Sequence, residues 1–125
     1  MTKPYIDVVE RAIEPPSTVT QAGAVVEFSG VVRDSEDAIR IEGIEYEAFR
    51  DMAIAELHRI AIELMEKYDL LELVCIHRVG FVPKHQAAVY VRTAATHRNE
   101  AYRANIECID QLKRRVPIWK HPRLQ

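Results

Sequence analysis

Two lysines flank a proline turn near the end of this chain, in the run Lys113-Arg-Arg-Val-Pro-Ile-Trp-Lys120. Ammonium groups brought close together depress one another's pKa, which makes a neutral amine accessible near pH 7 for nucleophilic or acid–base work. The dipeptide His97-Arg98 follows Thr96 at the start of a helical pattern that ends in Lys113. Free backbone N–H groups and the helix dipole favour an anion there. Along one helix His97 and Lys113 lie roughly 24 Å apart at 1.5 Å per residue, so a compact ligand reaches both only through two subsites or a second copy of the chain. From Gln111 onward the chain carries Lys113, Arg114, Arg115, Lys120 and Arg123 and no carboxylate, a segment that attracts anions. The plainer reading of Lys113 to Arg115 is a set of cations matching a helix C-terminus. Trp119 beside a proline reads first as a core anchor, and Arg33, from its type and position, as a surface or turn residue.

The elements that must position these residues alternate between strand and helix. Tyr5 to Ile13 reads as a strand ended by Pro15-Pro16, and Ser17 to Ala22 as a short helix or loop. Ala24 to Val32 is β-rich, with Gly30 marking a kink or bulge, and leads through a polar loop at Asp34 to Asp37 into a strand over Ile39 to Ala48. That second strand alternates through Ile39, Ile41, Ile44 and Tyr46 with an irregularity at Gly43, and the two together predict a hairpin. From Phe49 the period changes: Phe49, Met52, Ala53, Leu57, Ile60, Ala61, Leu64, Met65 and Tyr68 recur at helical spacing, with core packing expected for Phe49, Met52 and Tyr46. The opposite face, with Arg50, Glu56, Arg59, Glu63, Glu66 and Lys67, is solvated. Leu71 to Val79 and Ala87 to Ala94 are two further strands joined by a loop around Pro83-Lys84-His85. Thr96 is the expected N-cap of a second helix running to Arg115 and stopped by Pro117. The order ββ-α-ββ-α predicts an α+β fold with a mainly antiparallel sheet and two principal helices.

Composition bounds the function. A length of 125 residues with 48% hydrophobic content suits one domain over residues 1–125. The net charge of -2 hides a split, because Asp34 to Glu72 holds twelve acidic and four basic residues while the end is basic. The basic end is therefore a local feature. No run approaches the roughly 18 apolar residues of a membrane span and the N-terminus has no apolar signal region, so a soluble cytoplasmic protein is expected. Cys75 and Cys108 lie in apolar patterns without a CxxC and read as buried structural thiols.

At this point the chain resembles the large, catalytic subunit family of molybdopterin synthase. The resemblance is carried by GAVVEFSGVVRD at 23–34, IEYEAFRDMA at 44–53, IHRVG at 76–80, and THRNEAYRA followed by LKRRVPIWK within 96–120. It implies an α/β-hammerhead-like fold and a sulfur transferase that converts the cyclic pyranopterin monophosphate, precursor Z, into molybdopterin. The sulfur would arrive as a thiocarboxylate on the C-terminal Gly-Gly of a small ubiquitin-like subunit. The assembly implied is a heterotetramer around a homodimer of large subunits, with no metal, no organic cofactor, no membrane and no nucleic acid. Residue by residue, the resemblance implies catalytic roles for Lys113 and, in support, Lys120. It implies substrate binding by Arg33, His97 and Arg98, with the His-Arg pair supplied across the subunit boundary. His77-Arg78 also matches, with a structural role sufficient to explain it.

The chain departs from the family pattern in ending at His121-Pro-Arg-Leu-Gln where relatives carry a tail that helps complete the site, and in Ala38 and Lys84-His85-Gln86, which are loop variations. Two other readings stand beside the enzyme. One is a noncatalytic anion or nucleic-acid binding module built on the basic C-terminal segment, disfavoured by the acidic net charge and 7% aromatics. The other is an enzyme forming a Schiff base through a lysine of depressed pKa.

Overall fold

A computed structural model describes residues 3–18 and 21–125. Its strands are β1 (Tyr5–Val9), β2 (Ala24–Val31), β3 (Ser35–Glu36), β4 (Ile39–Ala48), β5 (Glu72–Arg78), β6 (Gly80–Pro83), β7 (Ala87–Ala95) and β8 (Ile118–Leu124). Its helices are α1 (Arg50–Lys67) and α2 (Arg98–Arg115). Two sheets form: one in the order β1-β5-β7-β2, the other built on β4, which pairs with β3, β6 and β8. Only β1 and β5 run parallel; the other pairings are antiparallel. The architecture is α+β with two principal helices, as the alternation of patterns predicts.

The first sheet is covered by both helices on one face. In α1 the stripe Ala53, Leu57, Ile60, Ala61 and Leu64 is buried, and it meets Val8, Leu73, Cys75 and Val91 from the strands and Ala101, Ala104, Cys108 and Leu112 from α2. Each large aliphatic side chain buried this way contributes about 1.5–3 kcal/mol. Because side chains alternate along a strand, the intervening residues Val74, Ile76 and Tyr90 face the other way. There they form a second cluster with Val9, on which Ile13 packs. Both cysteines are buried and free.

Several expectations change here. Ala24 to Val32 and Ile39 to Ala48 do not pair: β2 lies along β7, and the hairpin shrinks to Ser35–Glu36 against Ile39 and Arg40. Alternation identifies a strand's faces but not its neighbour, and a bulge between Gly30 and Val31 turns the chain away from the first sheet before β4 begins. The link between the strands at 72–78 and 87–95 is itself partly a strand, β6. Gly80, at φ +83°, allows the sharp change of direction that takes the chain from one sheet to the other. Gly43 lies at the expected irregularity in β4, and a Cβ there would overlap the Val82 carbonyl of β6. Thr96 is not the N-cap: β7 extends to Ala95 and the chain turns one residue later, so His97 takes that place without a side-chain capping bond. The first strand ends at Val9 rather than Ile13. Of the segment 17–22, expected as a short helix or loop, residues 19 and 20 lie outside the described residues.

The largest correction concerns the C-terminal segment. Ile118–Leu124 is a strand at the edge of the second sheet, with Tyr46 opposite Lys120, Glu45 opposite His121 and Ile44 opposite Pro122. An edge strand tolerates that proline because its missing N–H need not serve a second neighbour. Trp119 is not a core anchor; it is 44% exposed and packs edge-to-face on Phe49, with ring centroids 5.2 Å apart. Phe49 and Met52 are also exposed, since they precede the point at which α1 turns its stripe onto the sheet.

Candidate functional site

The last turn of α2, the β2 and β7 side of the first sheet and the β4–β8 ladder of the second enclose a cavity of about 540 Å³. Each element brings a different group. Lys113 comes from the last turn of α2, Arg33 from the chain just beyond β2, and Lys120 from β8. Phe28, Val31, Val89 and Ile109 supply apolar wall, and Tyr46 and His77 line it as well. Three cations separated by up to 87 positions in sequence thus share one cleft. Such a site suits an anionic ligand with an apolar or aromatic body.

The two remaining predicted site residues are elsewhere. His97 and Arg98 are exposed at the opposite end of α2 and do not line this cavity. A straight helix of this length keeps the two ends roughly 24 Å apart, and nothing in the fold bends it back.

The sequence reading missed Glu36. Its Oε2 accepts from Arg33 at 2.6 Å and its Oε1 from the Lys120 ammonium at 2.7 Å. The hydrogen bond from Lys120, with Arg33 in support, holds its carboxyl below the usual carboxylate range. Lys120 is therefore bound to a carboxylate rather than left facing only another ammonium. Lys113 is exposed and has no hydrogen-bonding partner among the described residues. The signal for Glu36 was present only as one acidic residue in an acidic loop.

His77 is buried, and its Nδ1 donates to the Arg78 carbonyl at 2.8 Å, while its ring meets Tyr46 edge-on. Burial pushes the imidazole pKa down and keeps it neutral, and burial together with the Glu36 charge pushes the Tyr46 hydroxyl up. As pH falls below about 6.5, an unfolded chain takes up the His77 proton before the folded one does, so stability should fall with acidification in that window. Thermal melts from pH 7.5 to 5 should show a drop in Tm, and His77→Gln should flatten it; an equally steep drop in the variant would assign it to other groups.

Two further arginines of the basic segment are paired within the fold. Arg115 is bound by Glu56 at 2.7 Å and Glu63 at 2.9 Å, and Arg123 by Glu45 at 2.6 Å. The acidic stretch and the basic end, far apart in sequence, are partners in space. Among the described residues no group of three or more His, Cys, Asp or Glu is placed to hold a metal ion, and no helix is long and apolar enough to cross a membrane.

The model of the MoaE protein family matches residues 2–115, which is most of the chain. The chain belongs to that family. The molybdopterin synthase catalytic subunit of Thermoplasma volcanium is 33% identical over 130 residues, covering 100% of this chain and 95% of its own. The crystal structure of molybdopterin synthase from Staphylococcus aureus superposes with a TM-score of 0.84 at 34% identity, covering 100% of this chain and 93% of that one. A protein–protein complex of subunits 1 and 2 of molybdopterin-converting factor from Helicobacter pylori shares the fold, with a TM-score of 0.71 at 22% identity over 83% of this chain and 68% of that one. Membership of this family makes the chain an enzyme subunit of molybdopterin synthesis.

Proposed function

We propose that this MoaE-family chain transfers sulfur to precursor Z from the thiocarboxylated C-terminus of a small ubiquitin-like subunit, as the catalytic subunit of a molybdopterin synthase. The observation that carries the proposal is the convergence of Lys113, Lys120 and Arg33 in one apolar-walled cavity. An apolar-walled cleft of about 540 Å³ suits an extended tail ending in small residues, whose terminal thiocarboxylate would lie among the cations. The thiocarboxylate sulfur forms a bond to a side-chain carbon of the pterin as that carbon's bond to oxygen breaks and the oxygen leaves protonated. Water then adds to the acyl carbon and the acyl carbon–sulfur bond breaks, leaving a thiolate on the product and a carboxylate on the tail, with the water's protons released. Lys113 polarises the acyl carbon or moves the proton at that step, and Lys120 stabilises the developing negative charge. Arg33 holds the phosphate through paired N–H donors.

His97 and Arg98 serve the same substrate only from a second copy of the chain, so the active unit is a homodimer, with a small subunit bound to each chain. Mixing Lys113→Ala chains with His97→Ala/Arg98→Ala chains tests this. A site shared across the boundary leaves one intact site per mixed dimer, so about half of the wild-type activity per mixed dimer should return. No recovery in verified mixed dimers would put both groups of residues in one chain's site, and full activity of the His97→Ala/Arg98→Ala protein by itself would exclude the His-Arg pair from the site.

The test of the function itself is a single-turnover reaction of the protein with thiocarboxylated small subunit and precursor Z, reading out molybdopterin. Product identifies the reaction; a stable complex that yields none would refute the sulfur-transfer reading. The alternative of a polyanion-binding module loses weight from the internal pairing of Arg115, Lys120 and Arg123, which leaves few free cations to release counterions from a nucleic acid.

A further inference from the structure

Among the carboxylates that pair with the basic end, Glu36 lines the cavity, whereas Glu45, Glu47, Glu56 and Glu63 do not. The hairpin that carries it is only two residues on each side, closed by Asp37 and Ala38 at φ 50° and 67°, so its backbone is fixed. Its side chain is 13% exposed, against 37% for Glu45 in its pair with Arg123. Each of its oxygens is given to a different cation from a different element, Arg33 beyond β2 and Lys120 on β8. Glu36 and both of its partners line the cavity. Summing charges over the lining, Arg33, Lys113 and Lys120 contribute three positive charges and Glu36 removes one.

We infer that Glu36 is a positioning and selectivity residue of this site: it clamps Arg33 and Lys120 in place and acts as a built-in anion that an incoming ligand must outcompete. The inference rests on the sulfur-transfer reading for its catalytic consequence but not for its binding consequence. A simple anion, with nothing to offer but charge, has to displace the carboxylate and gains little. A substrate that also fills the apolar part of the cleft gains enough contact to do so, and discrimination follows from that difference. The clamp also spares Lys120 the rotamer freedom that a free ammonium on four methylenes would have.

Glutamine at this position keeps the shape but replaces one accepting oxygen with an NH2 donor, so it cannot accept from both cations. Inorganic pyrophosphate, titrated calorimetrically into the intact protein, is the probe. Glu36→Gln should bind it more tightly, on the order of tenfold, and Glu36→Ala at least as tightly, because both remove the competing charge. Glu45→Gln removes an equal charge from the same sheet outside this cavity and should stay near wild type. Equal affinity in Glu36→Gln and wild type, no binding by any of them, or the same gain in Glu45→Gln would each overturn the inference. In the sulfur-transfer reaction Glu36→Gln should lower kcat with no rise in KM; unchanged kcat would remove the positioning role. Failure of wild type to form molybdopterin would instead refute the sulfur-transfer reading, leaving the pyrophosphate comparison to decide the role of Glu36 separately.

Discussion

Lys113→Ala should lower single-turnover molybdopterin formation by at least about a hundredfold, the usual scale for losing a positioned group that transfers a proton or stabilises charge in the transition state. The residue is well suited to an unambiguous experiment. It is exposed at the end of α2 and has no hydrogen-bonding partner among the described residues, so its removal should change stability by no more than about 0.5 kcal/mol. The complex with the small subunit should survive, since the apolar wall of Phe28, Val31 and Val89 is untouched. Lys113→Arg separates the two roles considered for it. Arginine preserves the positive charge but does not give up a proton near neutral pH, so recovered activity would mark an electrostatic role and continued loss a proton-transfer role. Lys120→Ala should also reduce turnover, but its interpretation is less direct because it strips Glu36 of one partner and leaves Arg33 to pair with it alone. Normal turnover by Lys113→Ala would refute the assignment.

The parts of this molecule that were legible in its sequence are those governed by local periodicity. The stripe Ala53, Leu57, Ile60, Ala61 and Leu64 determines which face α1 buries, and the α2 pattern ends at Pro117 as expected. Gly43 marks its own irregularity because no other side chain would clear the neighbouring carbonyl. What was not legible depends on pairing across distance. Ile118–Leu124 contains a proline and three basic or imidazole side chains, and nothing in its pattern announces a strand; it becomes one because β4 offers it an edge with Glu45 and Glu47 as partners for Arg123 and His121. The same is true of the site. Lys113, Lys120 and Arg33 could be named from motif resemblance, and the fold brings them to one cavity, yet Glu36 could not, because its two partners come from separate parts of the chain. His97 and Arg98 are legible as the start of a helix, but their distance from the cavity is a property of helix length that residue types do not announce.

Arg92→Met should destabilise the fold by about 3–5 kcal/mol, the range found when one partner of a buried ion pair is removed. Arg92 is 1% exposed, in β7, where Tyr90 to Ala95 are all buried. Its five N–H donors are all committed: Nε to Glu72 at 2.8 Å, one terminal nitrogen to the Tyr90 hydroxyl at 3.1 Å and the Pro16 carbonyl at 2.9 Å, and the other to Glu72 at 3.2 Å and the Ser17 carbonyl at 3.1 Å. Tyr90 in turn donates to Glu27 at 2.5 Å, and burial with that bond pushes its pKa up to about 12. The network thus ties the far face of the first sheet to the segment at Pro16 and Ser17. Methionine fills a similar volume but leaves the Glu72 carboxylate buried and uncompensated, and frees two backbone carbonyls; most of the cost comes from that stranded charge. Arg92→Met/Glu72→Met should therefore be more stable than Arg92→Met alone, although it loses more hydrogen bonds. Arg92→Lys should fail to rescue, because one ammonium with three donors cannot span five acceptor bonds. Urea denaturation of the four proteins measures this directly. If the double variant proved less stable than the single one, the network's own bonds, rather than the penalty of an unpaired charge, would be what holds this face of the protein together.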